Sequence, residues 1–155
     1  MLTTVITQGL SPDSPNYRIR EEVFLKEQKF KVEFDETDRT AWQVLLLDDG
    51  IPVAAGRLFP KGPQSGAYIL GRIAVVREKR GRHYGAEMVR ALEQKAASLG
   101  AAQFELSAQA HARGFYEKLG YLAVGDLYFD EHVPAIRMLK DAPAPTQKKG
   151  NAENV

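Results

Sequence analysis

The chain contains no cysteine in its 155 residues, which excludes a disulfide framework, a thiolate metal site and a cysteine nucleophile or acyl carrier. It also lacks charge of one sign. Its 21 Lys and Arg stand against 20 Asp and Glu, a formal net charge of +1, whereas a dedicated nucleic-acid binder is normally strongly basic. No apolar run approaches the length of a membrane span, and the first residues lack the basic-then-apolar order of a secretory leader, so a reducing cytoplasm is the expected compartment. Neither Gly-x-x-x-x-Gly-Lys-Ser/Thr nor Gly-x-Gly-x-x-Gly occurs, which excludes a Walker phosphate loop and a dinucleotide fingerprint. His83, His111 and His132 do not share metal-ligand spacing, and no metal is expected. What remains is ordinary: 44% hydrophobic and 26% charged residues, in a length that suits one domain with a real core.

The chain is organised around residues 68–99. Tyr68, Ile69, Leu70, Ile73, Ala74, Val75 and Val76 form a nearly continuous apolar run, as expected for a strand covered on both faces. Gly71 interrupts it, and a glycine there marks a bulge or a close backbone approach. The basic stretch Arg77-Glu78-Lys79-Arg80-Gly81-Arg82-His83-Tyr84-Gly85-Ala86 follows. Met88, Val89, Leu92, Ala96 and Leu99 then recur at helical spacing up to a capping Gly100. A helix entered through a glycine-bearing turn aims unpaired N–H groups and the positive end of its dipole at whatever lies in front of it, which suits a phosphate. A solvated basic turn is the plainer reading of the same residues.

This order of strand, Arg-Gly-bearing turn and helix resembles the acetyl-coenzyme A motif of the GCN5-related N-acetyltransferases, whose pattern is Arg/Gln-x-x-Gly-x-Gly/Ala. Arg80, Gly81 and Gly85 match; His83 stands where the family's middle glycine is usual. Ala112-Arg113-Gly114-Phe115-Tyr116-Glu117-Lys118-Leu119-Gly120-Tyr121 is similar to a second stretch of that family, A-x-x-F-Y-x-K-L-G-F/Y. Nearer the start, Arg20-x-x-Val23-Phe24-x-x-Glu27-Gln28 followed by Glu33-x-Asp35-x-x-Asp38 resembles a small bacterial branch labelled ElaA-like or YjcF-like.

Residues 1–9 read as a first strand. Ser14 and Pro15 form an N-cap and first-turn pair for an amphipathic helix through Gln28, with Val23 and Phe24 as core. Glu33, Asp35, Glu36 and Asp38 form an acidic loop, not an EF-hand, because its glycine and closing glutamate are missing. Such runs are usually solvated. The functional alternative is that Glu33 and Asp35 attract a cationic amine and help remove its proton. Residues 42–47 and 51–59 are strands joined through Asp49-Gly50, a strong hairpin signal, and form a meander with the strand at Tyr68. Residues 102–108 alternate as a further strand. Phe115 and Leu119 suit the core face of a short helix, with Tyr116 pointing elsewhere. Residues 121–129 and 135–139 are the last strands, with 130–134 between them. Residues 1–140 thus form one domain, and residues 141–155 a disordered tail.

The element order is α+β with a mixed, mostly antiparallel central sheet. The resemblance implies the acyl-CoA N-acyltransferase (GNAT) fold, with helices on both faces and strands 4 and 5 splayed apart. It also implies transfer of an acetyl group from acetyl-CoA to a primary amine on a small molecule or peptide. Cofactor contacts would then come from Ile73, Ala74 and Val75 on the strand, from Arg80, Gly81, Arg82, His83, Tyr84, Gly85 and Ala86 at the turn, and from Phe115 and Tyr116. Tyr116 would protonate the departing thiolate, and Glu33 and Asp35 would serve the amine. Without a cysteine to carry an acyl group, the amine is expected to attack directly in a ternary complex. No nucleic acid or membrane partner is expected. A homodimer follows from the resemblance alone. Two rivals remain open: a non-catalytic acyl-CoA sensor of the same fold, and an RNA-binding module built on residues 77–82.

Overall fold

A computed structural model describes residues 1–144 of the chain. Seven strands form one sheet in the order β1-β2-β3-β4-β5-β7-β6. They are β1 (Leu2–Gln8), β2 (Trp42–Asp48), β3 (Ile51–Pro60), β4 (Ala67–Val75), β5 (Gln103–Gln109), β6 (Leu122–Asp130) and β7 (Val133–Asp141). All neighbours are antiparallel except β4 and β5, which run parallel. The helices are α1 (Pro15–Arg20), α2 (Tyr84–Ser98) and α3 (Arg113–Lys118). This is the mixed, mostly antiparallel α+β sheet expected from the sequence.

Local chemistry explains the expected boundaries. The Ser14 hydroxyl accepts from the Tyr17 N–H, and Pro15 opens α1. Asp49 and Gly50 both take positive φ, as a two-residue type I′ hairpin requires. Period-two alternation then sorts the core: Val44 and Leu46 face α2, while Leu45 packs with Ile19, Val23 and Phe24 on the other side of the sheet. Gly56 brings β3 and α2 together, since a Cβ there would lie 2.9 Å from Leu92 Cδ1 and 3.0 Å from Met88 Sδ.

Several expectations are corrected. The first helix keeps α geometry only to Arg20 and continues as a π-helix over Glu21–Glu27. Gln28 N–H donates to the Val23 carbonyl, five residues back. The break between β6 and β7 is much shorter than expected, because both strands run on to a two-residue turn at Glu131 and His132. Asp141 is the last residue of β7, and the Ala142 N–H still donates to the Ala102 carbonyl, so the tail does not begin at 141. The rest of the expected tail, residues 145–155, lies outside the described residues.

Two features position the site. First, β4 and β5 pair only at Ala67, Tyr68 and Ile69 against Gln103, Phe104 and Glu105, after which they diverge. Second, β4 carries one extra residue against β3, as Ala55 pairs with Ala74 but Arg57 pairs with Gly71. The bulge expected near Gly71 is therefore present, with its left-handed residue at Arg72, φ 50°. In a regular strand Arg72 would share the face of Leu70, which packs toward α2. The extra residue turns it to the α1 side with Ala74.

Candidate active site

The divergence of β4 and β5 opens a cleft of about 670 Å³, bordered by β4, β5, the π-helical segment, the loop after it and α3. Beyond Ile69, the edge of β4 that faces β5 has no strand partner, so its backbone groups are available to an extended ligand. The start of α2 enters the same space. Gly81 and His83 have φ of 83° and 67°, and His83, the N-cap, provides no side-chain cap. The first intrahelical bond at this end runs from the Glu87 N–H to the His83 carbonyl, which leaves the N–H groups of Tyr84, Gly85 and Ala86 outside the helical ladder. Gly85 borders the cleft, and a Cβ on it would come 3.2 Å from the Phe115 ring. The left-handed conformation explains how a histidine replaces the usual middle glycine: the backbone keeps a glycine-like path and the His83 side chain stays exposed.

Arg80 sits at this turn, and a residue that sequence reasoning had placed only within a matching string claims it. Glu27, at the end of the π-helical segment, accepts from Arg80 Nη1 at 2.6 Å and from Nη2 at 2.8 Å, while Arg80 Nε donates to the Val75 carbonyl at 3.1 Å. The hydrogen bonds from Arg80 hold the Glu27 carboxyl below the usual carboxylate range. Tyr84, by contrast, turns its side chain away and hydrogen-bonds Asp48 on the β2–β3 hairpin, leaving only its backbone at the turn.

Phe115 and Tyr116 both border the cleft, with their expected orientations exchanged. Phe115 is exposed, whereas Tyr116 and Leu119 pack against the main core. Tyr116 meets Tyr121 edge to face at 6.0 Å, and burial alone pushes its phenol up to about 12. At neutral pH it therefore holds its proton.

The acidic loop is solvated only in part: Asp35 and Glu36 are exposed. Glu33 and Asp38 are buried, and three arginines from α1, β3 and β4 converge on the loop. Arg20 is wholly buried and bonds Glu33 Oε2 at 2.8 Å and Asp38 at 2.8 and 3.0 Å. Arg57 bonds Asp35 at 2.7 Å and Asp38 at 2.8 Å. Arg72 reaches the Glu33 carbonyl at 3.1 Å and Asp35 Oδ2 at 3.2 Å. The electrostatic outcome differs within the loop. Burial raises the Glu33 carboxyl above its ordinary value, and Glu33 borders the cleft. The hydrogen bond from Arg57 lowers Asp35. Burial opposes the charge of Asp38, yet hydrogen bonds from Arg20, the Asp35 N–H and Arg57 hold it well below the usual range. Arg20 and Asp38 belong to the resembling string, but nothing in the local sequence pointed to Arg57 or Arg72.

The splayed parallel pair, the uncapped helix start and Tyr116 thus share one cleft, and the acetyltransferase (GNAT) family model matches residues 6–121. The chain belongs to this family. It is 38% identical to the Bacillus subtilis protein YjcF, described as an uncharacterised N-acetyltransferase, over 81% of this chain and 89% of that one. Among solved structures, an acyl-CoA N-acyltransferase from Pseudomonas aeruginosa superposes with a TM-score of 0.80 at 27% identity, covering 90% of this chain and 99% of that one. Escherichia coli ElaA shares the fold at a TM-score of 0.80 and 23% identity, with the same coverage. Membership of the GNAT family supports acyl transfer from a CoA thioester, and the ElaA/YjcF-like branch expected from the sequence is the one that these relatives represent.

Proposed function

We propose that this GNAT protein is a cytoplasmic acetyl-CoA-dependent N-acetyltransferase that acts on a primary amine by direct attack in a ternary complex. One observation carries the reading: the partnerless edge of β4 and the uncapped N-terminus of α2 open into one cleft, which matches a ligand that combines amide groups with a pyrophosphate. The Tyr84, Gly85 and Ala86 N–H groups and the Arg80 guanidinium would hold the pyrophosphate, and Ile73, Ala74 and Val75 the amide-bearing arm. Gly81, Arg82 and His83 shape and charge the turn. When bound, acetyl-CoA supplies the activated acetyl thioester.

The chain's own residues then manage protons. Glu33, its carboxyl raised by burial, takes the proton that the amine loses as its nitrogen bonds the acetyl carbon. Tyr116 Oη gives its proton to the sulfur as the carbon–sulfur bond breaks, then regains one from solvent. Glu33 returns its proton to solvent. Asp35 acts one step back, by holding Arg57 and Arg72 against the loop that carries Glu33.

Isothermal titration with acetyl-CoA and with CoA tests the cofactor assignment. Micromolar binding to the wild type that weakens strongly in Arg80→Ala and Gly85→Glu is the expected result, and an amine screen with Tyr116→Phe as control then follows. Absence of binding by the wild type overturns the reading. Binding with no turnover of any amine returns the protein to the role of an acyl-CoA sensor.

A further inference from the structure

The sequence suggested an acidic loop that draws in cations, and the structure removes that argument. Glu33, Asp35 and Asp38 are matched by Arg20, Arg57 and Arg72, so this wall of the cleft presents no excess negative charge to attract a polyamine.

The members of the cluster are not equally committed. Arg20 is fully buried, and its Nε, Nη1 and Nη2 all donate to Glu33 or Asp38. Arg57 commits both Nη groups to Asp35 and Asp38; its buried Nε has no acceptor among the described residues, and the Phe59 ring centre lies 5.3 Å from its Cζ. Arg72 differs. Its side chain remains 27% exposed and borders the cleft, its Nε and Nη2 are used, and among the described residues its Nη1 donates to nothing. It is aimed there by the β4 bulge at a left-handed φ of 50°, a conformation that is strained for an L-residue.

Glu33 is the counterpart. Its Oε2 lies 2.8 Å from Arg20 Nε and 3.1 Å from Arg72 Nε, while its Oε1 receives no donor among the described residues. Burial makes the Glu33 carboxylate and the Arg72 guanidinium both harder to keep charged than in water, so neither charge is fully compensated by the other. Two side chains that meet at 3.1 Å through Arg72 Nε and Glu33 Oε2 and both border the cleft thus keep one carboxylate oxygen and one guanidinium nitrogen without partners among the described residues. A ligand that satisfies both carries an amine and an anion a bond or two apart.

We propose that the acceptor is a small zwitterion of the amino acid class, its amine beside Glu33 Oε1 and its carboxylate on Arg72 Nη1. This rests on the acyl-transfer reading above, and it makes Arg72 a specificity-determining residue.

The test compares matched acceptors at saturating acetyl-CoA: lysine with cadaverine, phenylalanine with phenethylamine, and phosphoethanolamine with ethanolamine. The expected result is a kcat/KM preference of about tenfold or more for the amino acid over its decarboxylated partner. In Arg72→Gly, where glycine suits the left-handed backbone, turnover of both partners changes because Glu33 loses a neighbouring cation, so the readout is the ratio between partners, which falls to about twofold. Arg72→Lys, which keeps the charge but loses the fork, falls between the two. Equal turnover of both partners, a preference confined to phosphoethanolamine, or an equal loss on both partners in Arg72→Gly overturns the proposal. The acetyl-CoA titration separates the two levels. Cofactor binding with turnover of carboxylate-free amines, and no preference, refutes the zwitterion alone; failure to bind acetyl-CoA refutes the acetyltransferase reading with it.

Discussion

Replacing His83 by glycine isolates the backbone term at the cofactor turn. His83 has φ 67° and ψ 13°, is exposed, and makes no capping hydrogen bond from its side chain to α2. Removing that side chain therefore breaks no polar contact at the helix start, and the balance is set by conformation. The left-handed region costs an L-residue about 1–2 kcal/mol, with histidine at the low end because it visits that region more readily than most. Glycine avoids that strain but gives the unfolded chain more freedom, a loss of about 0.5–1 kcal/mol. The net expectation for His83→Gly is a gain of at most about 0.5 kcal/mol, which in a chain of this length raises Tm by up to about 2 °C. His83→Ala keeps the Cβ and the strain, so it leaves Tm nearly unchanged. Calorimetry on the three proteins distinguishes the outcomes, and coenzyme A affinity should stay within about twofold because the N–H groups of the turn keep their places. An alanine variant as stable as the glycine variant, or a glycine variant less stable than the wild type, would refute the strain argument.

Four further perturbations have defined signs. Glu27→Gln removes the charge that engages Arg80 at 2.6 and 2.8 Å; a pyrophosphate must compete for that guanidinium, so coenzyme A should bind up to about fivefold tighter at low salt, and weaker binding would mean that Glu27 serves to orient Arg80. Asp38→Asn strips one acceptor from two buried arginines and should cost about 3–5 kcal/mol by urea unfolding. The pH dependence has two opposed parts. Asp35 and Asp38 have lowered folded values, so their contribution is present above the ordinary carboxylate pKa of about 4 and is lost as pH falls through the folded values. Glu33 is raised, so its contribution is present below the ordinary value and is lost as pH rises through the folded one; Glu33→Gln should flatten that upper limb in unfolding measured between about pH 3 and 7. Gly56→Ala drives a methyl group to within 2.9 Å of Leu92 and should cost about 1–3 kcal/mol; a loss under about 0.5 kcal/mol would show that α2 shifts freely over β3.

The parts of this molecule that could be read from the sequence are those whose cause is local. Asp49-Gly50 specifies a hairpin because the two residues carry the required positive φ themselves, Ser14-Pro15 specifies a helix start because the hydroxyl caps the first turn and proline suits its first position, and Met88, Val89, Leu92 and Ala96 reveal α2 because their 3.6-residue period is written along the chain. The acidic loop could not be read that way. Whether Glu33 or Asp38 is solvated depends on arginines that lie in β3 and β4, and no window around the loop contains them. The π-helical segment has no period of its own to announce it, and one residue of register separates an exposed Phe115 from an internal Tyr116. The bulge stands between these cases. Gly71 marked the right place, yet the positive φ falls on Arg72, since the extra residue must go where it points a guanidinium at Glu33 rather than at the core that holds Leu70. Strain on a charged residue, spent on facing it into a cleft beside a buried carboxylate, has no local reason, and that is what makes Arg72 and Glu33 the pair to test for acceptor choice.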